Sequence, residues 1–514
     1  MSLVHQAAQF AVGAVFVALL FRAIQSSWNV IRRNGEPLKK PPNTLPLVGN
    51  GLQFLQSRWK LFEWFDKCQR QFGYETVALT VPTLPPGVLI HDPRNLEFVF
   101  KNEGIFTKGN FVKGRSWDLF GNGIINADGE LWKIQRKAGL SFLNTANLRV
   151  LTDVALPQYL KESVNDLKLR AGQTVDLQHV FHEITTKLMG KMAYNMEMHA
   201  DDEFSTSFDH ASGGTAERFQ NPMWYINEVL FGSQLRASMK VVREFGRRIV
   251  ASAVKDRRDQ QTRKEENVFV EDESKLDQIS GSLIQSLLDA IGDEKIVADA
   301  ALTYLSAGRD TTGQALTWTF YLLAKNPTKL AKLHAEVSGL FREHDLQTPT
   351  IDDDDDVFDP TIFTPASMPF AMAVFYEALR LYPPIPFEIR QCTEDVTLPD
   401  GTFLPRNSVL VWCILAMQRS KLTWGNDADV FSPERFLDDD GKLVSRSAPE
   451  FPVFYGGPRT CLGKKMAEAI AVQVIPTMAW LFSFVLADEG RERVAKTSLT
   501  LPMEGGLPVK VVGR

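Results

Sequence analysis

Apolar positions along this chain fall into three patterns. From Phe10 to Phe21 they run without a break, which as a helix is about 18 Å, short of the roughly 30 Å hydrocarbon core of a bilayer. Extended from Leu3 to Ile24 the helix reaches about 33 Å, with His5, Gln6 and Arg22 near its ends, where they can meet headgroups. No Lys or Arg precedes this stretch and Arg22 follows it directly, so it reads as an uncleaved anchor and not as a cleaved signal peptide. Arg32, Arg33, Lys39 and Lys40 come after it and place the bulk of the protein in the cytosol by the positive-inside rule. A buried core helix is the competing reading. Residues 1–25 are thus expected to be a membrane anchor, 26–46 a basic, proline-rich linker and 47–514 the globular body.

The second pattern, alternation with a period of two, is sparse. It predicts strands over Tyr74 to Val81 and Gly87 to Ile90, and a pair, Val396 to Leu398 and Val409 to Trp412, separated by the Pro399-Asp400-Gly401 turn. The third, a helical period, covers most of the rest. Its longest run extends from Asp293, a plausible N-cap, to Lys325, where Asn326-Pro327 stops it. At 1.5 Å per residue this rod spans roughly 50 Å, enough to cross the whole body. The fold class is therefore mainly α with small β-sheets, α+β, around one long central helix. Two charged tracts, Lys255 to Glu273 and Asp352 to Asp356, read as solvated surface.

Composition narrows the function more than the fold. A net charge of −5 gives no basic field for nucleic acid. The four cysteines, Cys68, Cys392, Cys413 and Cys461, are scattered, contain no CxxC pair and are too few for a disulfide framework. One of them sits in a special setting: Phe454-Tyr455-Gly456-Gly457-Pro458-Arg459-Thr460-Cys461-Leu462-Gly463. Gly457 and Gly463 would let backbone approach a flat group closely. A helix from about Leu462 onward would aim its N-terminal N–H groups at the sulfur and lower the thiol pKa. A buried structural cysteine after a glycine turn is the alternative for any isolated Cys.

With this motif the chain resembles the cytochrome P-450 family of heme-thiolate monooxygenases, whose FxxGxRxCxG pattern is met by Phe454, Gly457, Arg459, Cys461 and Gly463. The resemblance implies heme b with Cys461 as the axial ligand of its iron and Arg459 at a propionate. It is carried by further motifs. Glu377-Ala378-Leu379-Arg380 matches the ExxR helix, with Arg435 in Pro433-Glu434-Arg435-Phe436 as the third, structural partner. Trp132 and Arg136 match the WxxxR helix, and Arg390 falls where many members carry a basic residue at a propionate. Ala307-Gly308-Arg309-Asp310-Thr311-Thr312, inside the long helix, corresponds to the oxygen-activating element. There Ala300, Thr303, Ala307 and Thr311 make a small-residue stripe suited to lie against the cofactor. The resemblance implies that Thr311 and Asp310 deliver protons during oxygen activation, with Asp310 linking toward solvent. The structural alternative for Thr311 is a bond to the Ala307 carbonyl that bends the helix.

The activity so implied is insertion of one atom of O2 into a C–H bond of an apolar substrate, with electrons from NADPH through a separate membrane-bound NADPH-cytochrome P-450 reductase, or from cytochrome b5. Endoplasmic reticulum membrane, single-pass, is the implied location. The stretch Gly123 to Trp132 together with the Ala307 to Thr312 element is similar to the subgroup that hydroxylates long-chain fatty acids or alkanes at or near the terminal carbon. Phe111, Phe120, Ile125, Ile385 and Phe387 are the candidate pocket residues. A steroid, terpene or aromatic substrate is the alternative. Two other classes compete: a heme-thiolate isomerase or dehydratase, against which both Asp310 and Thr311 argue, and a noncatalytic heme-binding membrane protein. The stretch around His199 to Ser233 matches nothing in the family pattern.

Overall fold

The computed structural model describes residues 30–81, 84–265, 276, 279–347, 350 and 359–514. The expected anchor, residues 1–25, lies outside the described residues, as does the acidic run Asp352 to Asp356. Among the described residues no helix is long and apolar enough to cross a membrane.

Helices dominate, and nine of them frame the site: α1 (Arg58–Phe72), α2 (Gly109–Phe120), α3 (Gly129–Phe142), α4 (Leu177–Tyr194), α5 (Glu203–Gln220), α6 (Trp224–Phe231), α7 (Glu294–Lys325), α8 (Pro369–Leu381) and α9 (Lys464–Leu481). The unmatched stretch around His199 to Ser233 is thus helical, forming α5 and α6. The expected central rod is α7. Its Asp293 side chain accepts from the backbone N–H groups of Lys295 (2.9 Å) and Ile296 (3.2 Å), and Pro327 opens the next helix. Two glycines let α7 lie close against α4. A Cβ on Gly308 would stand 2.5 Å from the Met189 sulfur, and one on Gly313 would collide with His182. The helix accepts their propensity cost, about 1 kcal/mol each, for that close packing.

The principal sheet has five strands, β1 (Val77–Leu79), β2 (Gly87–Leu89), β3 (Phe106–Thr107), β4 (Glu388–Cys392) and β7 (Val409–Trp412), in the order β1-β2-β7-β4-β3. β7 runs parallel to β2 and antiparallel to β4, in the register Val411 opposite Leu89 and Ile389. The turn at Pro399-Asp400-Gly401 joins β5 (Val396–Thr397) to β6 (Thr402–Leu404), not to β7 as the sequence suggested. Gly401, at φ +82°, takes the left-handed conformation that so tight a reversal needs, and β7 starts only after Pro405. Side-chain alternation in the five-stranded sheet divides the interior. Leu79, Leu89, Ile389, Val409 and Val411 face the main helical core, whereas Ala78, Val88, Leu410 and Trp412 face a second, smaller apolar cluster.

Candidate active site

Burial along α7 marks where a cofactor could lie. From Val297 to Leu323 every residue is buried except Asp299, Ala307, Gly308 and Thr311. An uncovered Ala307 and a half-covered Thr311 in the middle of a core helix mean that the helix borders open space there. The expected stripe is shorter than its spacing suggested. Ala300 and Thr303 are fully buried, and the loop after α2 packs on Thr303: a Cβ on Gly123 would collide with the Thr303 hydroxyl. The Thr311 hydroxyl donates to the Ala307 carbonyl at 2.7 Å, which fixes its rotamer.

Asp310 points elsewhere. It was expected to link toward solvent, but it is buried. Arg309 Nη1 lies 3.1 Å from Asp310 Oδ1, an oxygen that accepts no hydrogen bond, and donates to Asp209 Oδ1 on α5 at 3.0 Å. Arg309 Nε also donates to Thr186 on α4 at 3.2 Å. Burial pushes the Asp310 carboxyl well above the ordinary range, a rise that the Arg309 charge only partly offsets. Its contact with the half-exposed Asp209 therefore passes through Arg309, because α4 and α5 cover this side of α7.

Opposite in sequence and chemistry is the cysteine loop. Cys68, Cys392 and Cys413 are buried, and Cys461 is exposed. Two residues before α9 begin the turn: Tyr455 at φ +60° and Gly457 at φ +62°, both left-handed. A side chain at 457 is excluded twice, by that φ and by the Phe100 carbonyl oxygen, which a Cβ would strike. The backbone groups of Gly463 and Lys464 and the Arg136 charge lower the Cys461 pKa, as the helix start suggested. Although the residue keeps accessible surface, desolvation by the protein packed around the sulfur outweighs them and holds the thiol above its ordinary value. Its own N–H donates to the Phe454 carbonyl at 2.8 Å, closing the loop.

Around this loop the structure assembles the predicted cations. The Arg459 guanidinium stacks 4.6 Å from the Trp132 ring centroid and that of Arg136 lies 5.5 Å from it, so the Trp132 indole on α3 organises both. Arg136 donates to the Thr460 carbonyl at 2.9 Å. Arg459 donates to Glu103, Asp128 and the Ala127 carbonyl at 3.0, 3.0 and 3.2 Å. Arg390 on β4 projects to the Trp412 face of the sheet, 4.8 Å from the Tyr455 ring, and pairs with Glu388 at 2.7 Å. Glu103, Asp128 and Glu388 carry no motif, and only the folded chain reveals that they hold these arginines.

On α8 the carboxylate of Glu377 accepts from Arg380 Nε (2.7 Å) and Nη2 (2.8 Å), from Arg435 Nε (3.0 Å) and from the Ser432 N–H (2.8 Å). Glu377 and Arg380 are wholly buried. The remaining Arg380 donors reach the carbonyls of Gln418, Ala428 and Val430. This network ties α8 to the segment leading into the cysteine loop. It touches none of Ala307, Thr311 and Cys461.

The five candidate pocket residues separate. Phe111 and Phe387 line a small apolar pocket, together with Leu79, Gly87, Val409 and Val411 from the core face of the sheet. Phe120, Ile125 and Ile385 do not line it; Phe120 is buried in the main core, and Ile125 packs against that core. Sequence reasoning missed Phe54, Leu61 and Phe65 around α1, and Phe219 on α5, which complete the pocket wall. It also missed Arg58. The available signal was a cation at the first position of a helix, where the macrodipole disfavours one.

A long core helix with an uncovered small-residue face, an exposed cysteine in a left-handed loop and a ring of arginines define a heme-thiolate protein, and comparison agrees. The sequence model described as cytochrome P450 matches residues 39–507. Similar curated proteins include cytochrome P450 CYP94D108 of Paris polyphylla, 28% identical over 495 residues that cover 93% of each chain. Cytochrome P450 86B1 of Arabidopsis thaliana is 29% identical over 522 residues, 98% of this chain and 89% of the relative. Cytochrome P450 monooxygenase cyp1 of Mycosarcoma maydis is 28% identical over 530 residues, 97% of this chain and 78% of its own. The chain belongs to the cytochrome P450 family and is a monooxygenase.

Membership implies a heme, dioxygen as cosubstrate and electrons delivered by a reductase. The residues fit that cofactor. Cys461 is the one exposed thiol, and Ala307 and Thr311 are among the few residues in the middle of α7 that are not buried. Trp132, Arg136, Arg390 and Arg459 supply the donors that two propionates require. When bound, the heme supplies an iron that activates dioxygen. Cys461 would hold the cofactor through its sulfur, Trp132, Arg136, Arg390 and Arg459 would meet its propionates, and Ala307 and Thr311 would border it.

Proposed function

We propose that this protein hydroxylates long-chain aliphatic molecules, fatty acids or alkanes, at or near the terminal carbon, using electrons from NADPH passed by a separate membrane-bound reductase. The observation that carries this reading is an apolar pocket. It is lined almost wholly by aliphatic and phenyl side chains and bounded by a sheet on one side and helices on the other. Such walls suit an aliphatic chain, and alone they distinguish neighbouring chain lengths by only about 1–3 kcal/mol per methylene. Thr311 would hold or relay a proton near the reacting oxygen. Asp310, buried beside Arg309, would act as its more distant acid.

We also place the protein on the endoplasmic reticulum membrane, with residues 1–25 as anchor, 26–46 as linker and 47–514 as the cytosolic catalytic body. In support, α6 exposes Tyr225, Ile226, Val229, Leu230 and Phe231, each half or more accessible, a patch that an aqueous surface rarely carries. Lys133, Lys137 and Lys465 are exposed around α3 and the start of α9 and offer cations to an acidic reductase surface.

The test has two stages. The reduced protein with carbon monoxide should show the red-shifted Soret band of a thiolate ligand; its absence overturns the assignment of Cys461. Reconstitution with reductase and NADPH should then convert saturated fatty acids or alkanes of about 12 to 18 carbons to terminal alcohols. Rearrangement of a hydroperoxide without reductase would establish the isomerase reading instead.

A further inference from the structure

Beside the cysteine loop, α8 and α9 meet through a polar contact. The Tyr376 hydroxyl, one residue before Glu377 on α8, donates to Glu468 Oε1 on α9. Lys464, one turn earlier on α9, brings its ammonium to 3.7 Å from the same oxygen. That ammonium also lies 5.5 Å from the centre of the Phe454 ring and 6.0 Å from that of Tyr376. Phe454 is the residue whose carbonyl accepts the Cys461 N–H. Phe454, Lys464, Tyr376 and Glu468 thus form one chain of contacts beside the loop that carries the sulfur, and Glu468 is the anion among them.

The pair keeps its charge on Glu468. Burial raises the Tyr376 pKa far above the ordinary phenol range and the neighbouring carboxylate adds to the rise, so the proton stays on the phenol. The Tyr376 ring is fixed in turn by Phe436 and Phe451, whose centroids lie 5.6 and 6.0 Å away. Only 17% of the Glu468 side chain is accessible, and a partly buried charge is screened much less than a solvated one. Lys464 offsets it only in part, for 3.7 Å is beyond hydrogen-bond length and 42% of the lysine side chain is accessible. Had the contact served only to tie α8 to α9, a neutral acceptor would do as well without the cost of desolvating a carboxylate.

Side-chain charges of both signs bear on the Cys461 sulfur, the Arg136 cation from α3 and the Glu468 anion from α9. Arg136 is among the groups that would meet a propionate, which takes up its charge. A propionate cannot neutralise Glu468, an anion like itself. Groups around a metal ligand and the burial of the site set the potential of the metal.

We propose that Glu468 acts through Cys461 to hold the heme iron at a low reduction potential, with Tyr376 fixing the carboxylate in place. The charge opposes arrival of an electron at the iron and favours donation of electron density by the sulfur, the property that promotes O–O cleavage in heme-thiolate proteins. This tuning is independent of the substrate, so it stands or falls apart from the aliphatic-hydroxylase reading.

The experiment is a spectroelectrochemical titration of the full-length, heme-loaded protein in lipid nanodiscs, without reductase or substrate. The carbon-monoxide band of each variant is recorded first, to verify that Cys461 ligates the iron. Glu468→Gln keeps an acceptor for the Tyr376 hydroxyl and removes only the charge. Seven residues at about 1.5 Å each put that charge about 10 Å from the sulfur, so its loss should shift the reduction equilibrium roughly 3- to 15-fold toward the ferrous form, tenfold being about 59 mV. Glu468→Asp keeps the charge and should stay closer to the wild type than Glu468→Gln does. Tyr376→Phe should move the equilibrium the same way by at least about twofold, because the carboxylate is then free to turn to water. An equilibrium within about twofold of the wild type in Glu468→Gln overturns the proposal, and a loss of stability without a shift in potential reduces the contact to a tie between two helices. Absence of the carbon-monoxide band in the wild type would instead overturn the assignment of Cys461. Should Glu468→Gln fail to take up heme, Tyr376→Phe decides, and a potential equal to that of the wild type overturns the proposal.

Discussion

Replacing Glu377 by Gln tests how much of the fold hangs on one buried carboxylate. In the wild type its two oxygens accept three guanidinium N–H bonds and one backbone N–H, all between 2.7 and 3.0 Å. The amide keeps the shape, but it turns one oxygen into an NH2 that faces guanidinium donors. The wholly buried Arg380 then lacks an anion, while Arg435 keeps only Asp427 at 3.0 Å, and breaking such a buried pair costs about 3–5 kcal/mol. Against a total stability of about 5–15 kcal/mol, that is at least about a fifth of what holds the domain together. Arg435→Leu is the internal control. It leaves Glu377 bonded twice to Arg380 and should cost only about 1.5–3 kcal/mol, the range for hydrogen bonds to charged groups. Urea unfolding followed by tryptophan fluorescence measures both, with Trp424, 5.3 Å from the Arg380 guanidinium, as a nearby reporter. A loss below about 1 kcal/mol in Glu377→Gln, or a larger loss in Arg435→Leu, would refute the view that the carboxylate is the keystone.

Other outcomes follow from the same geometry. Gly457→Ala forces a Cβ onto the Phe100 carbonyl at a left-handed φ; helical circular dichroism should persist while the carbon-monoxide band per protein falls severalfold. Thr311→Ala removes the hydroxyl 2.7 Å from the Ala307 carbonyl. Heme binding should survive, while product per oxygen consumed drops and peroxide rises. Unchanged coupling would take Thr311 out of the proton path. Glu388, between Lys108 and Arg390, is held at about 2 from an ordinary 4.5, the charges overcoming the opposing effect of burial. Its folded pKa is depressed, so its stabilisation of about 3 kcal/mol is full above pH 4.5 and disappears as pH falls toward 2, with about 2 kcal/mol gone by pH 3. Glu388→Gln should flatten urea midpoints over that window, and an unaltered acid slope would count against the pairing.

Local chemistry made several things legible before folding. The Asp293 cap and the Asn326-Pro327 stop delimit α7 because capping and proline sterics act within a few residues. Cys461 stood apart from three other cysteines because glycines and an arginine surround it at close spacing. The pairing of Glu377 with Arg380 followed from a single turn of helix. What spacing could not supply was everything assigned by long-range packing. Asp310 and Thr311 are neighbours in sequence, yet a 100° step around α7 sends one under α4 and α5 and leaves the other uncovered. Ala300 and Thr303 share Ala307's face by periodicity, yet both are buried, and a loop 180 residues upstream covers Thr303. The turn at Gly401 was plain, but which strand it joins depended on hydrogen bonds formed elsewhere in the sheet.

By itself, then, the sequence determined the reactive loop, the central rod and the class of chemistry, since each depends on residues that are close along the chain. Only the tertiary structure decided which groups face open space and which ionise against a partner. It took strands from both halves of the chain to build the pocket wall, and it left Arg58 buried there without an ion-pair partner among the described residues. Burial and charge compensation are sums over everything packed around an atom, and no window of sequence contains those terms.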